Sequence, residues 1–455
     1  MRNGVKHRLD NMGRPFRALL ISDALMLLAQ MVGYVVLPWW IAHQGGARDL
    51  ALYGMVLSVA AFIAMPLWSP FGDRIPKRTQ IAVGLAARAS IALLVAILAS
   101  CGHYNIVLLI AAGIVTTVSD TIITPASSTI AAELIPAEKL SDALSLQKTA
   151  QAAGRIAGPA LGGGMLAAAG TPAALWLSCA LLMLAAMLAT RIPPPSAAVL
   201  KTSGAAHWWF DLKAGLAVKW QVPLERGWTL VNFITWIFMG PALTMLIPLK
   251  VQALGLSGAW LGACEAALSL GMLGGALWGA GFLAKTFGRY QVRVGAGVIQ
   301  GLALTLAGFT QWPLVLMAAF LCAGMANSAV VLIGLTHRTL AIPRDFRVRI
   351  TAVNIMSTLV AGALGPAAAG AALTHWSVSH VYIAFGLAST VCATGFVLVP
   401  RFREFFSLDH EQVKDWYQLQ YPQVFPAAAA QGEHGLDRPA LSAASSKTSQ
   451  AGSGV

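Results

Sequence analysis

Charge is scarce in this sequence: of 455 residues only 11% are Asp, Glu, Lys or Arg, whereas 57% are hydrophobic and the mean hydropathy is +0.68. Soluble domains usually carry about 25% charged residues, so a water-soluble fold is excluded as a home for that much apolar surface. Cysteine is scarce as well. Cys101, Cys179, Cys264, Cys322 and Cys392 stand singly, without C-x-x-C spacing or a partnering His cluster, which argues against a disulfide framework or a zinc site. They read as packing residues. No nucleotide-binding loop and no paired catalytic constellation is found, which argues against an ATP-driven pump and against an enzyme, and no cofactor or metal is expected. Ten-residue alternations of polar and apolar side chains are missing too, which disfavours a transmembrane barrel.

Long apolar runs are what the chain has instead. A helix needs roughly 18 to 20 apolar residues to cross about 30 Å of hydrocarbon, and the runs fit about twelve such spans. They lie near Phe16 to Ala42, Leu50 to Trp68, Gln80 to Ser100, Ile106 to Thr124, Ser141 to Ala168 and Ala173 to Ala189, then near Thr229 to Val251, Ala259 to Ala284, Val292 to Phe309, Pro313 to Leu335, Ile350 to Leu373 and Val381 to Val399. The expected fold class is therefore an all-α membrane protein of twelve transmembrane helices in two six-helix repeats. Its expected organisation is a basic N-tail (1–15), a first bundle (16–190), a linker (191–226), a second bundle (227–400) and a largely disordered tail (401–455). The linker holds a Trp-rich amphipathic segment (Trp208, Trp209, Phe210, Leu212, Leu216, Trp220) suited to the headgroup layer. The first apolar run is too long for a signal-peptide core and is expected to be retained.

Orientation follows from Lys and Arg. With the N-terminus inside, only Arg48 and Lys250 of the 31 basic residues fall in outer loops, and Arg88, Lys148 and Arg155 fall within spans. This is the positive-inside pattern; it accounts for the net charge of +13 without nucleic acid and places both termini in the cytoplasm.

Duplication is visible in two proline landmarks. Pro136 and Pro343 precede the fifth and eleventh spans, Pro159 and Pro366 lie within them, and each pair is 207 residues apart. A shared offset indicates a parallel repeat, with a binding site expected near the midplane between the halves.

Around these landmarks the chain resembles the major facilitator superfamily. The loop Gly72-Asp73-Arg74-Ile75-Pro76-Lys77-Arg78 is similar to that superfamily's G-x-x-x-D-R-x-G-R-K loop, with Ser69 and Pro76 in place of its two glycines; the counterpart near Gly281 to Arg289 has Lys285 where the Asp belongs. The fifth span carries Gly154, Gly158, Pro159, Gly162 and Gly163, similar to the motif of the superfamily's exporters, with Ser145 replacing its first glycine. Asp211 to Gly215, Leu246 to Leu249, Gly271 to Gly275 and Arg349 to Asn354 resemble the branch of enterobactin-type siderophore exporters and macrolide efflux pumps. The resemblance implies export across a bacterial inner membrane by a monomer that uses the proton gradient, and an Asp73 latch on the eleventh span. A siderophore is the expected substrate, with a multidrug or macrolide pump and a lysophospholipid flippase as alternatives.

Charges inside spans are the candidates for chemistry, because each costs about 2.5 to 3.5 kcal/mol at a helix centre unless it finds a partner or water. Asp23, Asp120 and Glu265 are candidate proton carriers, since a carboxylate in a partly dehydrated cavity can exchange protons near neutral pH. Lys148 and Arg155, seven residues apart, share a face of the fifth span and suit an anionic or carbonyl-rich substrate, while Phe233 and Trp236 offer aromatic surface. Asp120 with Lys148 or Arg155 also fits a permanent ion pair between spans four and five. Arg88 is expected to be structural, snorkelling from a peripheral span. Asp23 and Glu265 have no obvious partner on their own helices.

Overall fold

A computed structural model describes residues 13–72, 75–192 and 205–425. Asp73, Arg74, the start of the basic N-tail, the Pro-rich part of the linker and the end of the C-terminal tail lie outside the described residues, as do both termini. All regular structure among the described residues is helical. The elements are α1 (Gly13–Gly72), α2 (Lys77–Ser100), α3 (Ile106–Leu134), α4 (Ala137–Ala189), α5 (Ala205–Gln221), α6 (Pro223–Leu243), α7 (Leu246–Ala253), α8 (Gly258–Gly274), α9 (Ala280–Phe287), α10 (Arg289–Phe309), α11 (Pro313–Ala341), α12 (Arg344–Leu373), α13 (Val378–Thr394), α14 (Phe402–Ser407) and α15 (Trp416–Gln420). A π-helical turn, Gly275–Gly279, joins α8 to α9.

Among the described residues, nine helical runs are long and apolar enough to cross a membrane, or ten if α6 and α7, bent by 41°, form one span. The chain is a multi-pass membrane protein. Two of the runs, Pro15–Trp68 and Glu138–Ala189, have 54 and 52 residues, or about 80 Å each at 1.5 Å per residue, more than twice the hydrocarbon thickness. Each is broken at a glycine, Gly46 (φ 67°) or Gly170 (φ 78°). That left-handed backbone is one a Cβ disfavours, so the glycines mark where the chain can reverse. Prolines start α4 and α12, at Pro136 and Pro343, where the restricted φ and missing N–H suit a helix entry. Asn105 caps α3 by accepting from the amides of Val107 and Leu108.

Small residues decide how the helices approach one another. A Cβ on Gly154 or Gly162 of α4 would meet the α1 backbone at Ala24 and Leu28, or at Val32, and one on Gly158 would strike the Met31 side chain. Gly163 instead meets Gly262 of α8 in the second half of the chain. The fifth-span glycines are thus a two-sided contact: one row faces α1, and Gly163 faces α8. In return, Pro366 of α12 packs on Gly54 of α1, and Ser58 donates to the Gly362 carbonyl at 2.9 Å.

Cores reveal how the halves separate. At the end away from the basic loops, one apolar core runs through both halves and includes Val36, Leu50, Leu246, Leu261 and Phe385. Near the basic loops there are two, one around Leu85 and Ile130 in the first half and one around Trp228 and Ile333 in the second. The halves therefore share packing at that end and have separate cores at the end that carries the basic loops. Lys148 and Arg155, in the part of α4 before Pro159, are exposed.

Gly262→Ala tests the outer contact. Its Cβ would lie 2.6 Å from the Pro159 carbonyl oxygen and 2.7 Å from the Gly163 Cα, backbone atoms that cannot rotate aside, so a cost of about 1–3 kcal/mol is expected. A cysteine placed at Leu166, which packs on Gly258, should then react faster with an impermeant maleimide in an otherwise cysteine-free protein. Unchanged reactivity and an unchanged melting temperature would show the contact to be loose.

Beyond the last span, residues 402–425 fold back onto the second half. Phe402, Phe405 and Phe406 gather around Trp228, with ring centroids 5.4 to 6.3 Å from it, and Trp416, Tyr417, Tyr421 and Phe425 continue the aromatic cluster. Beneath it, fully buried Glu225 accepts two hydrogen bonds from Arg338, one from Tyr417 at 2.6 Å, and lies 3.5 Å from Lys219. Burial, reinforced by Arg338, pushes the Lys219 ammonium down to about 7 against the pull of Glu225. This segment of the tail is packed, where composition alone suggests only an amphipathic stretch leading into disorder.

Candidate functional site

Two interior cavities carry the polar side chains of the spans, one in each half. The first, of about 170 Å³, is lined by Gln30, Tyr34, Tyr53, Arg88, Thr116 and Asp120 among apolar residues. Arg88 is buried and donates to Asp120 at 2.5 Å, and Gln30 donates to the other carboxylate oxygen at 3.4 Å. This corrects two expectations. Asp120 pairs with Arg88 and not with Lys148 or Arg155, because α2 packs beside α3 and brings the guanidinium to the carboxylate. Arg88 does not snorkel: at 3% exposure it points inward to a partner that helical spacing within one span cannot reveal.

Asp23 is also partnered. It accepts from Ser127 at 2.7 Å and from Gln147 at 2.5 Å, and all three side chains are buried. It ties α1, α3 and α4 together from outside the cavity lining. Lys148 donates to Gln151, one turn away, at 3.3 Å. Glu265 is half-buried on α8, one turn from the Gly262 contact. Lys250, expected in an outer loop, is instead buried and donates to the Gly308 carbonyl and the Ser379 hydroxyl, both at 2.8 Å; two oxygens replace the water it loses. Gly72 ends α1, Lys77 pairs with Glu133 at 2.5 Å, and Arg78 donates to the Thr190 carbonyl at 2.8 Å, so these parts of the loop bind within their own half.

The second cavity is larger, about 480 Å³, within the usual size of small-molecule sites. Phe233 and Trp236 line it, together with Trp228, Asn232, Asn327, Asn354 and Ser357. Three guanidinium groups, Arg293, Arg338 and Arg347, also line it, and among the described residues no Asp or Glu does. Reasoning from spans missed them: Arg293 stands at the edge of the ninth span and counts as a loop charge, and Arg338 lies beyond the expected end of the tenth. One signal was available. Asn327 follows Asp120 by 207 residues, the offset of the proline pairs, and it accepts from Gln300 of α10 at 3.3 Å. At that offset an amide, Asn327, thus stands in the second half where the first half has the carboxylate of Asp120.

Comparison with known proteins bears on the family and the fold. The family model described as Major Facilitator Superfamily matches residues 19–280 and 266–432. The chain belongs to that superfamily. No curated protein matches the chain at a significant level. Among solved structures, the chain is similar to a bacterial homologue of the iron transporter ferroportin in an inward-facing state, with a TM-score of 0.66 at 15% identity over 87% of this chain and 99% of that one. It is similar to the nucleoside transporter NupG, with 0.65 at 12% identity over 87% and 99%. A bacterial homologue of the human lysosomal transporter Spinster, inward-facing and unoccupied, gives 0.61 at 14% over 88% and 97%. At such identities the likeness shows the fold alone. As a superfamily member the protein is a secondary-active transporter of a small molecule and not an enzyme.

Proposed function

We propose that this transporter exports small amphiphiles from the cytoplasm in exchange for protons, by rocking two six-span halves about a central site. The observation that carries the proposal is the asymmetry of its cavities: the first half holds a titratable carboxylate, Asp120, against Arg88, whereas the matching position in the roomier second half is the neutral Asn327. Protons are assigned to the first cavity and substrate to the second. Counting α1 and α4 as two spans each, reversed at Gly46 and Gly170, and α6 with α7 as one, gives the twelve spans of the duplicated unit. Reciprocal packing of Pro366 on Gly54 and of Gly262 on the Pro159 carbonyl is what a repeat with a two-fold axis between its halves would produce. Packing shared only at the outer end supports an inward-facing state.

Substrate breadth has two readings. Aromatic walls with scattered amides and hydroxyls favour an efflux pump for several amphiphiles, in the manner of drug or macrolide exporters. A dedicated siderophore exporter is the narrower reading, resting on Lys148, Arg155 and the absence of acidic residues from the second cavity's lining. The solved structures, whose names include nucleoside and iron transporters, do not select between them. Inside-out vesicles with an acidic lumen should accumulate a catechol-type acid or a lipophilic dye in a protonophore-sensitive way. Accumulation indifferent to the gradient would overturn proton exchange, and accumulation of lipophilic cations alone would leave only the drug-efflux reading.

A further inference from the structure

We infer that the second-half cavity contains an anion subsite at Arg293, fitted to an amphiphile with a flat apolar body and a carboxylate or similar acidic group. The inference rests on that cavity being the substrate cavity. Arg293 sits on α10, is 3% exposed, and lines the cavity. Its Nε is buried without a hydrogen-bond acceptor, and among the described residues no group accepts a hydrogen bond from its guanidinium. Its contacts are ring faces: Phe396 at 4.4 Å and Trp228 at 5.9 Å from the guanidinium carbon to the centroid. Ring faces attract a cation but offset only part of its lost hydration, and a guanidinium cannot escape by shedding its proton as a buried lysine can.

Neutralisation by the protein itself is ruled out by geometry nearby. Glu225, a carboxylate on α6, is saturated by Arg338 through both oxygens and by Tyr417. Arg338 lies on the Trp228 ring at 5.1 Å, so the same indole touches one neutralised guanidinium and one that has no counter-ion. Arg347 gives its Nε to the Ile342 carbonyl at 2.9 Å, which is a hydrogen bond without charge balance. Gly334 leaves room beside Arg293: a Cβ there would come within 3.4 Å of its Nε and 3.2 Å of the Trp228 ring. An acidic group entering the cavity would find fork-shaped donors at Arg293, with Trp228, Phe233 and Trp236 as walls for its apolar body and Asn327 for a carbonyl or hydroxyl.

The test uses the purified full-length protein in nanodiscs, with naphthoate, its neutral isostere naphthamide and the cation naphthylmethylammonium as probes, and calorimetric titration as the readout. Naphthoate should bind at least about tenfold more tightly than naphthamide, the least expected of a charge-assisted pair in a dry site, and the ammonium should bind most weakly. In Arg293→Gln that preference should vanish while naphthamide affinity stays unchanged, which also verifies that the cavity is intact. Arg293→Lys keeps the buried charge but loses the fork, and should keep only part of the preference; it decides the matter if the glutamine variant does not fold. Equal affinity for naphthoate and naphthamide, a preference undiminished in both Arg293 variants, or no binding of any probe would overturn the subsite. Naphthamide binding without acid preference would sink the subsite alone, since the exporter reading is decided separately by protonophore-sensitive accumulation in vesicles.

Discussion

Asp120→Asn should abolish gradient-driven accumulation in inside-out vesicles while leaving substrate affinity nearly unchanged. The substitution keeps the shape of the side chain and a hydrogen-bond acceptor for Arg88, but it removes the proton-binding oxygen from the first cavity and makes that position resemble Asn327. A drop in initial rate of about a hundredfold is expected, the lower end of what a positioned proton-transfer group contributes. Exchange of labelled for unlabelled substrate without a gradient should persist, because it needs the rocking motion and not the proton. Asp23→Asn is the informative control: Asp23 is buried among Ser127 and Gln147, outside the lining of the first cavity, so its loss should lower stability more than it lowers coupling. Full gradient-driven transport in Asp120→Asn would move the coupling role elsewhere, with Glu265 the next carboxylate to neutralise.

Much of this fold was legible because its causes are local. Long apolar runs follow from what one segment needs in lipid and pointed to a multi-pass helical protein, while the superfamily was reached through the resemblance of the Gly72 to Arg78 loop and the fifth-span glycines. Partner choice was not legible for the same reason. A period of 3.6 residues says which face of a helix a side chain occupies, but not which helix stands opposite; Asp120 was therefore weighed against Lys148 and Arg155, one span along, and not against Arg88, one span back. The same limit hid Lys250, whose two oxygen partners lie 58 and 129 residues away.

Arg293 and Arg338 were hidden by a different assumption. Counting every cation near a span end as an orientation signal assigns it to solvent, yet α11 runs on to Ala341, so Arg338 projects from a helix into a cavity and not from a loop. The repeat could have exposed the asymmetry: reading position 327 against position 120 sets an amide against a carboxylate, a difference that local propensity does not register. Residues 402–425 illustrate the converse. Their aromatics look like an amphipathic surface segment until Trp228 and Glu225 supply the floor on which they pack.

Glu225→Gln should be the most destabilising single substitution in the second half. The carboxylate has no exposure and holds Arg338, Lys219 and Tyr417, which come from α11, α5 and α15. An amide of the same shape leaves the partly buried Arg338 without its counter-ion and turns a donor toward the guanidinium; breaking one side of a buried pair costs about 3–5 kcal/mol. Tyr417→Phe removes one hydrogen bond to the charged group and should cost about 1.5–3 kcal/mol, with Glu225 and Arg338 still paired. Thermal unfolding of the detergent-solubilised protein should rank the variants in that order. The double variant Glu225→Gln, Arg338→Met separates lost attraction from a stranded charge: it should be more stable than Glu225→Gln alone, because the guanidinium is then gone and only Lys219, which also donates to Thr229 and Asn354, is left without the carboxylate. If Glu225→Gln and Tyr417→Phe melted together with the wild type, the carboxylate would be solvated in the membrane-embedded protein, and the tail would dock on its aromatic contacts alone.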